Sequence, residues 1–221
     1  MFLRKTCRDF RNFIDEVVPS SSIIRLGLTA NEERIELEFE DSIVEFRRVK
    51  YYEPDQESAF WKDLEIILKH QKSVLKHFNV NLEPPIDHQT LGKSILANFH
   101  SGFLDKLQNL LRSRKIPLKS ATLELEIGYQ NEIMSVLPNI DSEKLEKILI
   151  YPVIPHMPVI KLDRVAETDQ WKRAKELGIA NFMVEEPLEK FAHFERCRIC
   201  VDTISLESLR QLKEVCENFE N

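Results

Sequence analysis

The chain of 221 residues is long enough for one large domain or two small ones, and its 43% hydrophobic and 31% charged residues permit a packed core. Five glycines argue against Gly-rich phosphate loops, and no apolar run approaches the roughly 20 residues that a membrane helix needs. A net charge of −6 disfavours nucleic-acid binding, while four scattered cysteines and the absence of a visible secretory signal indicate a reducing compartment, the cytoplasm first and the nucleus as the alternative.

The N-terminal quarter predicts one helix followed by a small sheet. Apolar residues recur at helical spacing from Leu3 to Ile14, so an amphipathic helix is expected before Pro19. Apolar and charged residues then alternate in three runs, with Val44 and Phe46 as inward residues of the third. This alternation predicts a three-stranded antiparallel meander with one buried face, with strands at 24–28, 35–39 and 44–49.

Beyond Pro54 the pattern changes to strands that alternate with helices. Pro84 and Pro85 form the clearest internal boundary. Short apolar runs predict strands at 78–82, 121–127, 145–150, 176–180 and 196–201. Apolar stripes at helical spacing predict helices at about 56–68, 89–114, 131–137, 187–194 and 205–219.

The strands share a loose repeat of the form L-x-x-L-x-L, in which the apolar positions point into the core. Its fourth position is occupied in turn by Phe78, Leu123, Ile148, Leu177 and Cys197, at steps of 45, 25, 29 and 20 residues. A single strand–helix unit cannot bury its own apolar stripe, so stacked neighbours must share a core. The sequence therefore predicts an α/β fold, an irregular leucine-rich-repeat-like arc of strand–helix units preceded by a short helix and the meander.

The same register predicts an open strand face, formed by the residues between the core positions. Its mixture of polar and apolar side chains suits a protein partner. A merely solvated sheet face, or one covered by the chain itself, explains the pattern equally well. The predicted protein-binding residues are Asn79, Asn81, Glu124, Glu126, Leu149, Tyr151, Arg198 and Cys200, with Gly178 and Ala180 on the same face.

Two motifs that could carry chemistry lack the context that the chemistry needs. Cys197-Arg-Ile-Cys200 has the spacing of a zinc or thiol-exchange pair, but it lacks a second ligand pair, and residues three apart on a strand point to opposite sides. This interpretation places Cys197 in the core and Cys200 outside. The segment Gly92–Ser94 resembles the end of a phosphate-binding loop, yet Asp87 stands where that pattern requires glycine.

The remaining polar residues predict no catalytic residue, no cofactor and no bound metal. Glu36, Glu38 and Glu40 occupy the polar side of a strand and indicate a solvated row. Basic residues at 47–50 and 112–115 leave at most a minor nucleic-acid contact. The six histidines stand at no recognised ligand spacing from carboxylates or cysteines; they are His70, His77, His88, His100, His156 and His193.

Two C-terminal segments resemble the signature of the FTH domain. They are QWKRAKELGIANF at 170–182 and PLEKFAHFERCRICVDTIS at 187–205. The resemblance covers roughly residues 75–221. The FTH domain follows the F-box in a large family of nematode F-box proteins, so the resemblance implies a protein-interaction role.

The N-terminal segment Leu3–Asp15 resembles the final helix of the F-box in the same proteins. In that family the first F-box helices dock on the Skp-type adaptor of a cullin ubiquitin ligase. Only the tail of the box is recognisable here, so adaptor docking is expected to be weak or absent. The domains expected are an F-box remnant at 1–18, the meander or linker strands at 19–53, and the FTH domain at 54–221.

The resemblance implies a non-catalytic interaction module, a substrate- or partner-binding adaptor related to F-box subunits of ubiquitin ligases. Its partner would be a protein that the sequence does not identify, and neither a membrane nor nucleic acid is expected. One alternative is a small hydrolase or transferase with a His–carboxylate pair in a cleft near Pro84 and Pro85. That hypothesis requires a histidine and a carboxylate within hydrogen-bond reach in a pocket, with a shifted pKa. A non-functional truncated paralogue is the other alternative.

Overall fold

The computed structural model describes residues 23–41, 46–52, 56–71, 73–83, 93–153 and 158–202. Nine strands within these ranges form one sheet. The strands are β1 (Ile23–Ala30), β2 (Arg34–Asp41), β3 (Arg47–Tyr52), β4 (His77–Leu82), β5 (Thr122–Ile127), β6 (Lys147–Pro152), β7 (Val159–Ile160), β8 (Glu176–Val184) and β9 (Arg196–Cys200).

The described residues between the strands form four α-helices. They are α1 (Glu57–His70), α2 (Lys93–Arg112), α3 (Gln130–Val136) and α4 (Asp169–Arg173). Two short 3₁₀ helices follow α3 and β8, at Leu137–Asn139 and Leu188–Phe191. No helix in the described ranges combines the length and the apolar character that a membrane crossing requires.

The first three strands form an antiparallel meander at one end of the sheet. β1 pairs with β2, with Leu28 opposite Leu37, and β2 pairs with β3, with Leu37 opposite Val49. The predicted meander is confirmed. Its first strand also pairs in parallel with β4, with Leu28 opposite Val80, so the sheet continues directly into the remaining strands.

The rest of the sheet is parallel and follows the order of the chain. β4, β5, β6 and β8 are successive neighbours, and β9 pairs with β8 on the other side from β6. The short β7 also pairs with β8. At Met183, β8 has Val159 of β7 on one side and Cys200 of β9 on the other. This mostly parallel sheet with helices confirms the predicted α/β class. The leucine-rich-repeat-like arc stays a prediction.

Strict alternation of side chains places every second strand residue in one hydrophobic core. On β4, β5 and β6, half-buried and buried residues alternate without exception, because successive strand side chains point to opposite faces. The buried residues then lie side by side across the strands, Val80 beside Leu125 and Leu125 beside Ile150. Four predicted core positions of the repeat are indeed buried: Phe78, Leu123, Ile148 and Leu177.

The helices α1 and α2 each bury one stripe in this core. Phe60, Leu64 and Leu68 recur four residues apart on α1 and are buried, as an amphipathic helix requires. Tyr51 of β3 donates a hydrogen bond of 2.8 Å to Asp63 of α1, which ties this helix to the sheet. The buried residues of α2 are Phe103, Leu104, Leu107 and Leu111.

The third strand lies later in the chain than predicted. Its buried residues are Val49 and Tyr51, which match the core side of β2. Phe46, predicted to point inward, is 47% exposed, and its ring lies 5.7 Å from the Arg48 guanidinium. Pairing with β2 decides this register, because a slip by one residue would turn every side chain of β3 to the other face.

The C-terminal region also differs from the predicted elements. β8 extends to Val184 through an irregularity between Gly178 and Met183, where Asn181 adopts a φ of 60°. The predicted helix at 187–194 is the 3₁₀ helix Leu188–Phe191. β7 and α4, which contain only two and five residues, had no sequence signal strong enough to predict them. The predicted helices at 3–14 and 205–219 lie outside the described residues.

Cys197 corrects the prediction that all five repeat positions are buried. It lies opposite Leu177 and so shares the core side of the sheet, but the residue is exposed. The reason is its position on β9, which among the described strands pairs only with β8. An inward-pointing residue at the edge of a sheet has fewer neighbours to cover it.

Trp171 of α4 is the centre of the aromatic packing near β8. It is 1% exposed and contacts the rings of Phe191 and Phe194 edge-on, with centroid distances of 5.7 and 5.1 Å. Its indole N–H donates to the carbonyl oxygen of Lys190 at 3.3 Å. The three-residue spacing of the two phenylalanines suits a 3₁₀ turn, because residues i and i+3 eclipse in that helix.

Replacing Trp171 with alanine should destabilise the fold strongly. The substitution leaves a cavity beside Phe191 and Phe194, and we expect a loss of about 3–5 kcal/mol in the free energy of unfolding, measured by urea denaturation. The neighbouring Lys172, whose side chain is 52% exposed, provides the control, because Lys172→Ala should change stability by less than about 0.5 kcal/mol. Similar stabilities of the two variants would contradict this packing.

Candidate functional site

The face of the sheet opposite the described helices presents two continuous rows of side chains. Paired residues of neighbouring strands point to the same side, so their side chains line up across the sheet. One row consists of Arg48, Glu38, Gly27, Asn79, Glu124, Leu149, Gly178 and Arg198. The other row consists of Lys50, Glu36, Thr29, Asn81, Glu126 and Tyr151. We call this surface the open face.

The open face brings together the residues that the sequence predicts for protein binding. Cys200 is two residues beyond Arg198 and therefore lies on the same side of β9. Arg198 is exposed, and the other predicted residues are half-buried. They form a strip from β4 through β5 and β6, continued by Arg198 and Cys200 on β9, and its binding role is a prediction. The half-buried residues are Asn79, Asn81, Glu124, Glu126, Leu149, Tyr151 and Cys200.

Leu149 and Tyr151 of β6 supply the large apolar surface of this strip. Gly178 of β8 makes room for Leu149, since a Cβ atom at position 178 would lie only 2.8 Å from Leu149 Cδ2. The leucine side chain therefore reaches over the neighbouring strand. Leu149 and Tyr151 thus form an apolar centre between the polar residues of β5 and Arg198.

The meander contributes a charged part of the open face that was not predicted as a site. Glu36, expected in a solvated row, is only 3% exposed and has ion pairs with Arg34 at 2.6 Å, Lys50 at 3.1 Å and Arg48 at 3.4 Å. Burial alone would raise the pKa of Glu36, but hydrogen bonds from Arg34 and Lys50 outweigh it and hold that pKa below its usual value. Three cations thus compensate one buried carboxylate.

The basic cluster at 47–50 has an internal role in this network. Arg48 pairs with Glu38 at 2.5 Å as well as with Glu36, and Lys50 also pairs with Glu36. These contacts take up the positive charges that the sequence offered for a minor nucleic-acid contact. The alternation of glutamates on β2 with cations on β3 is the signal that could have revealed the network, because opposite charges face each other across antiparallel strands.

His77 and Glu124 form a close pair where β4 meets β5. His77 Nε2 lies 2.7 Å from Glu124 Oε2, at a depression of about 430 Å³ on the open face. The hydrogen bond from His77 is the main reason why the pKa of Glu124 lies below its usual value, and burial acts in the opposite direction. This pair meets the geometric requirement of the enzyme hypothesis.

Glu126, two residues along β5, has the opposite electrostatic environment. Burial first, and then the negative charges of Glu124 and Glu83, raise the pKa of Glu126. Beside it on β4, Asn81 Oδ1 is shielded from solvent and accepts no hydrogen bond from the described residues. Among the described residues, this part of the open face therefore has acceptor oxygens with unused capacity, in contrast to the meander.

The described residues contain no group of three or more His, Cys, Asp or Glu side chains that could hold a metal ion. Partial burial raises the pKa of the Cys197 thiol to about 11, even though the residue as a whole is exposed. Very little of the reactive thiolate therefore exists at neutral pH. Cys197 is therefore a poor nucleophile at neutral pH.

Replacing Glu126 with glutamine should stabilise the protein at neutral pH. The raised folded-state pKa means that the native state binds this proton more tightly than the unfolded state, so stability falls as pH rises above about 4.5. Glu126→Gln removes that loss. We expect a gain of about 0.5 kcal/mol in the free energy of unfolding at pH 7, measured by urea denaturation, which disappears in acid well below pH 4.5.

Glu124→Gln is the matched control with the opposite sign. The pKa of Glu124 is lowered in the folded state, so its contribution is present above about pH 4.5 and is lost as the pH falls through the folded-state pKa. This variant should be less stable than the wild type at pH 7 and should approach it in acid. Effects of the same sign for the two glutamines would contradict the assigned environments.

Comparison with known proteins matches the C-terminal half of the chain to a family model, the FTH domain, over residues 101–221. No curated protein and no solved structure shows significant similarity. The match covers more than half of the chain and includes the open-face residues from Glu124 to Cys200. It confirms the FTH resemblance over residues 101–221, a shorter region than the predicted 75–221, and the chain belongs to the FTH domain family, which is linked to protein-interaction roles.

Proposed function

We propose that this protein is a non-catalytic interaction module, a substrate- or partner-binding adaptor related to the F-box subunits of cullin ubiquitin ligases. Membership of the FTH family supports a protein-interaction role. The main support for the proposal is the open face, where the register of the paired strands aligns Asn79, Glu124 and Leu149 in one row. The proposal includes a unit that begins near residue 54, linker strands at 19–53, an F-box remnant at 1–18 and a cytoplasmic location.

The composition of the strip favours a protein partner. Leu149 and Tyr151 offer apolar and aromatic area, and Glu124, Glu126 and Arg198 surround them with charge. Protein interfaces have this arrangement, with apolar and aromatic side chains at the centre and polar side chains at the rim. A small-molecule site would instead require a concave and mostly apolar pocket.

The double substitution Leu149→Arg and Tyr151→Arg should abolish partner binding without unfolding the protein. Both side chains are only half-buried, so the fold tolerates the change, whereas two new charges at the centre of an interface exclude an apolar partner. We expect at least about a tenfold loss of specific partners in quantitative affinity capture of the tagged full chain. Val74→Arg, at a residue that is 41% exposed and outside the two rows, is the matched control.

Retention of all partners by the double variant would contradict the proposal for this face. The same capture reports on the ligase, because an Skp-type adaptor would be recovered if it binds. Recovery of an Skp-type adaptor with the chain would support the relationship to F-box subunits, and its consistent absence would count against that part of the proposal.

The His77–Glu124 pair keeps a second candidate function, a small hydrolase or transferase. Its distance of 2.7 Å and its place in a depression favour that candidate. In such an enzyme His77 would have to act as the general base that activates a water molecule, with Glu124 orienting its imidazole ring. Hydrolysis of a simple ester or phosphate that is lost in His77→Ala would be needed to support this function.

A further inference from the structure

A groove runs along the exposed side of α1 and α2, away from the open face. Two cavities of about 610 and 570 Å³ adjoin each other along it and share the lining residues Glu65, Leu110 and Ser113. Trp61 lines one end, and Arg114 lines the other. The two cavities therefore form one continuous groove.

Arg114, just beyond the last turn of α2, has an incompletely compensated charge. Its Nε donates to the carbonyl oxygen of Ile116, and its Nη2 donates to that of Gln71, each at 3.3 Å. Its Nη1 is shielded from solvent and has no hydrogen-bond partner among the described residues. Burial lowers the pKa of Arg114, and no carboxylate of the described chain lies close enough to offset this effect.

The groove is basic although the chain is acidic overall. Six cations of the described residues line it against two carboxylates, in a chain whose net charge is −6. One cation, Lys106, is paired with Glu57. Within the described ranges the remaining cations have no ion pair; they are Lys62, Lys69, Arg114, Lys115 and Lys119.

Apolar side chains lie between these cations. Ile116 is 58% exposed, and Trp61, Leu110 and Pro117 line the same groove. A groove between two helices with an apolar floor is a common docking place for a peptide segment, which inserts its own apolar side chains. The surrounding positive charge selects for acidic residues beside those side chains.

We propose that this groove binds an acidic segment of a protein partner, in which aspartate or glutamate residues flank a large apolar side chain. The carboxylates pair with the groove lysines and are attracted by the uncompensated charge of Arg114, and the apolar side chain covers Ile116 and Trp61. The apolar lining favours a peptide over inorganic phosphate, which has no apolar group. This inference goes beyond the proposed function, because it concerns a different surface and does not depend on what the open face binds.

The test uses a fluorescein-labelled peptide of Glu-Asp-Leu-Phe repeats and its neutral Gln-Asn-Leu-Phe counterpart, titrated with the full chain by fluorescence anisotropy. We expect saturable binding of the acidic peptide, at least about tenfold weaker binding of the neutral one, and weakening by salt. Arg114→Gln should weaken binding of the acidic peptide by about tenfold.

Arg114 also donates hydrogen bonds to two backbone carbonyls, so a second variant tests the proposal even if Arg114→Gln unfolds the chain. Lys115→Gln with Lys119→Gln removes two groove charges that have no ion pair among the described residues, and should weaken binding by about fivefold or more. Lys76→Gln with Lys144→Gln, two exposed lysines outside the groove, removes the same charge and should leave binding unchanged.

Several results would overturn the proposal. They are no binding of the acidic peptide, equal binding of the neutral peptide, or an equal loss in both lysine pairs. Displacement of the peptide by inorganic phosphate, or stronger binding to duplex DNA or to phosphatidylserine vesicles, would mark a general anion surface instead. The Leu149→Arg and Tyr151→Arg variant should bind the acidic peptide normally, which separates this groove from the open face.

Discussion

The common register of the parallel strands is the constraint on which the rest of the structure depends. Val80, Leu125 and Ile150 lie side by side because β4, β5 and β6 share one register, and this row forms the floor on which the helices pack. A slip of one residue in any of these strands would exchange its core residues for its open-face residues. The same pairing that closes the core therefore also determines the composition of the open face.

The two halves of the open face satisfy their charges in different ways. On the meander, Glu36 is surrounded by Arg34, Arg48 and Lys50, so its buried charge is compensated within the chain. On β4 and β5, Glu124 has a partner in His77, whereas Glu126 has a raised pKa because of its burial and its acidic neighbours. A partner gains little by competing with the saturated network of the meander, whereas donors that approach β5 meet acceptors with unused capacity.

The sequence predicted correctly those strands in which apolar and polar residues alternate regularly. The strands at 78–82 and 121–127 and the open-face residues between their core positions follow from the period of two alone. The errors concern properties of the assembled sheet. Phe46 is apolar but exposed because pairing with β2 sets the register of β3, and Cys197 points to the core side but is exposed because β9 lies at an edge.

The candidate sites show the same limit. The residues on the strip from Asn79 to Tyr151 could be predicted, because each belongs to a strand with clear alternation. The compensation of Glu36 was missed, because it depends on the register that places Lys50 opposite Glu36, and the alternation of glutamates and cations on the two strands was its only signal. Arg114 likewise belongs to a basic run that is ordinary at the end of a helix. Only the folded chain shows that Nη2 bonds the carbonyl oxygen of Gln71, while Nη1 has no partner among the described residues.

The reversal of direction at β2 has a consequence for the evolution of this sheet. The meander ends the described sheet with β3, whose exposed residues Arg47, Arg48 and Lys50 are cationic and discourage pairing with a further strand. The meander therefore protects this edge of the described sheet. A strand–helix unit added on the parallel side would extend the open face, whereas a strand added beyond β3 would have to pair with this charged edge.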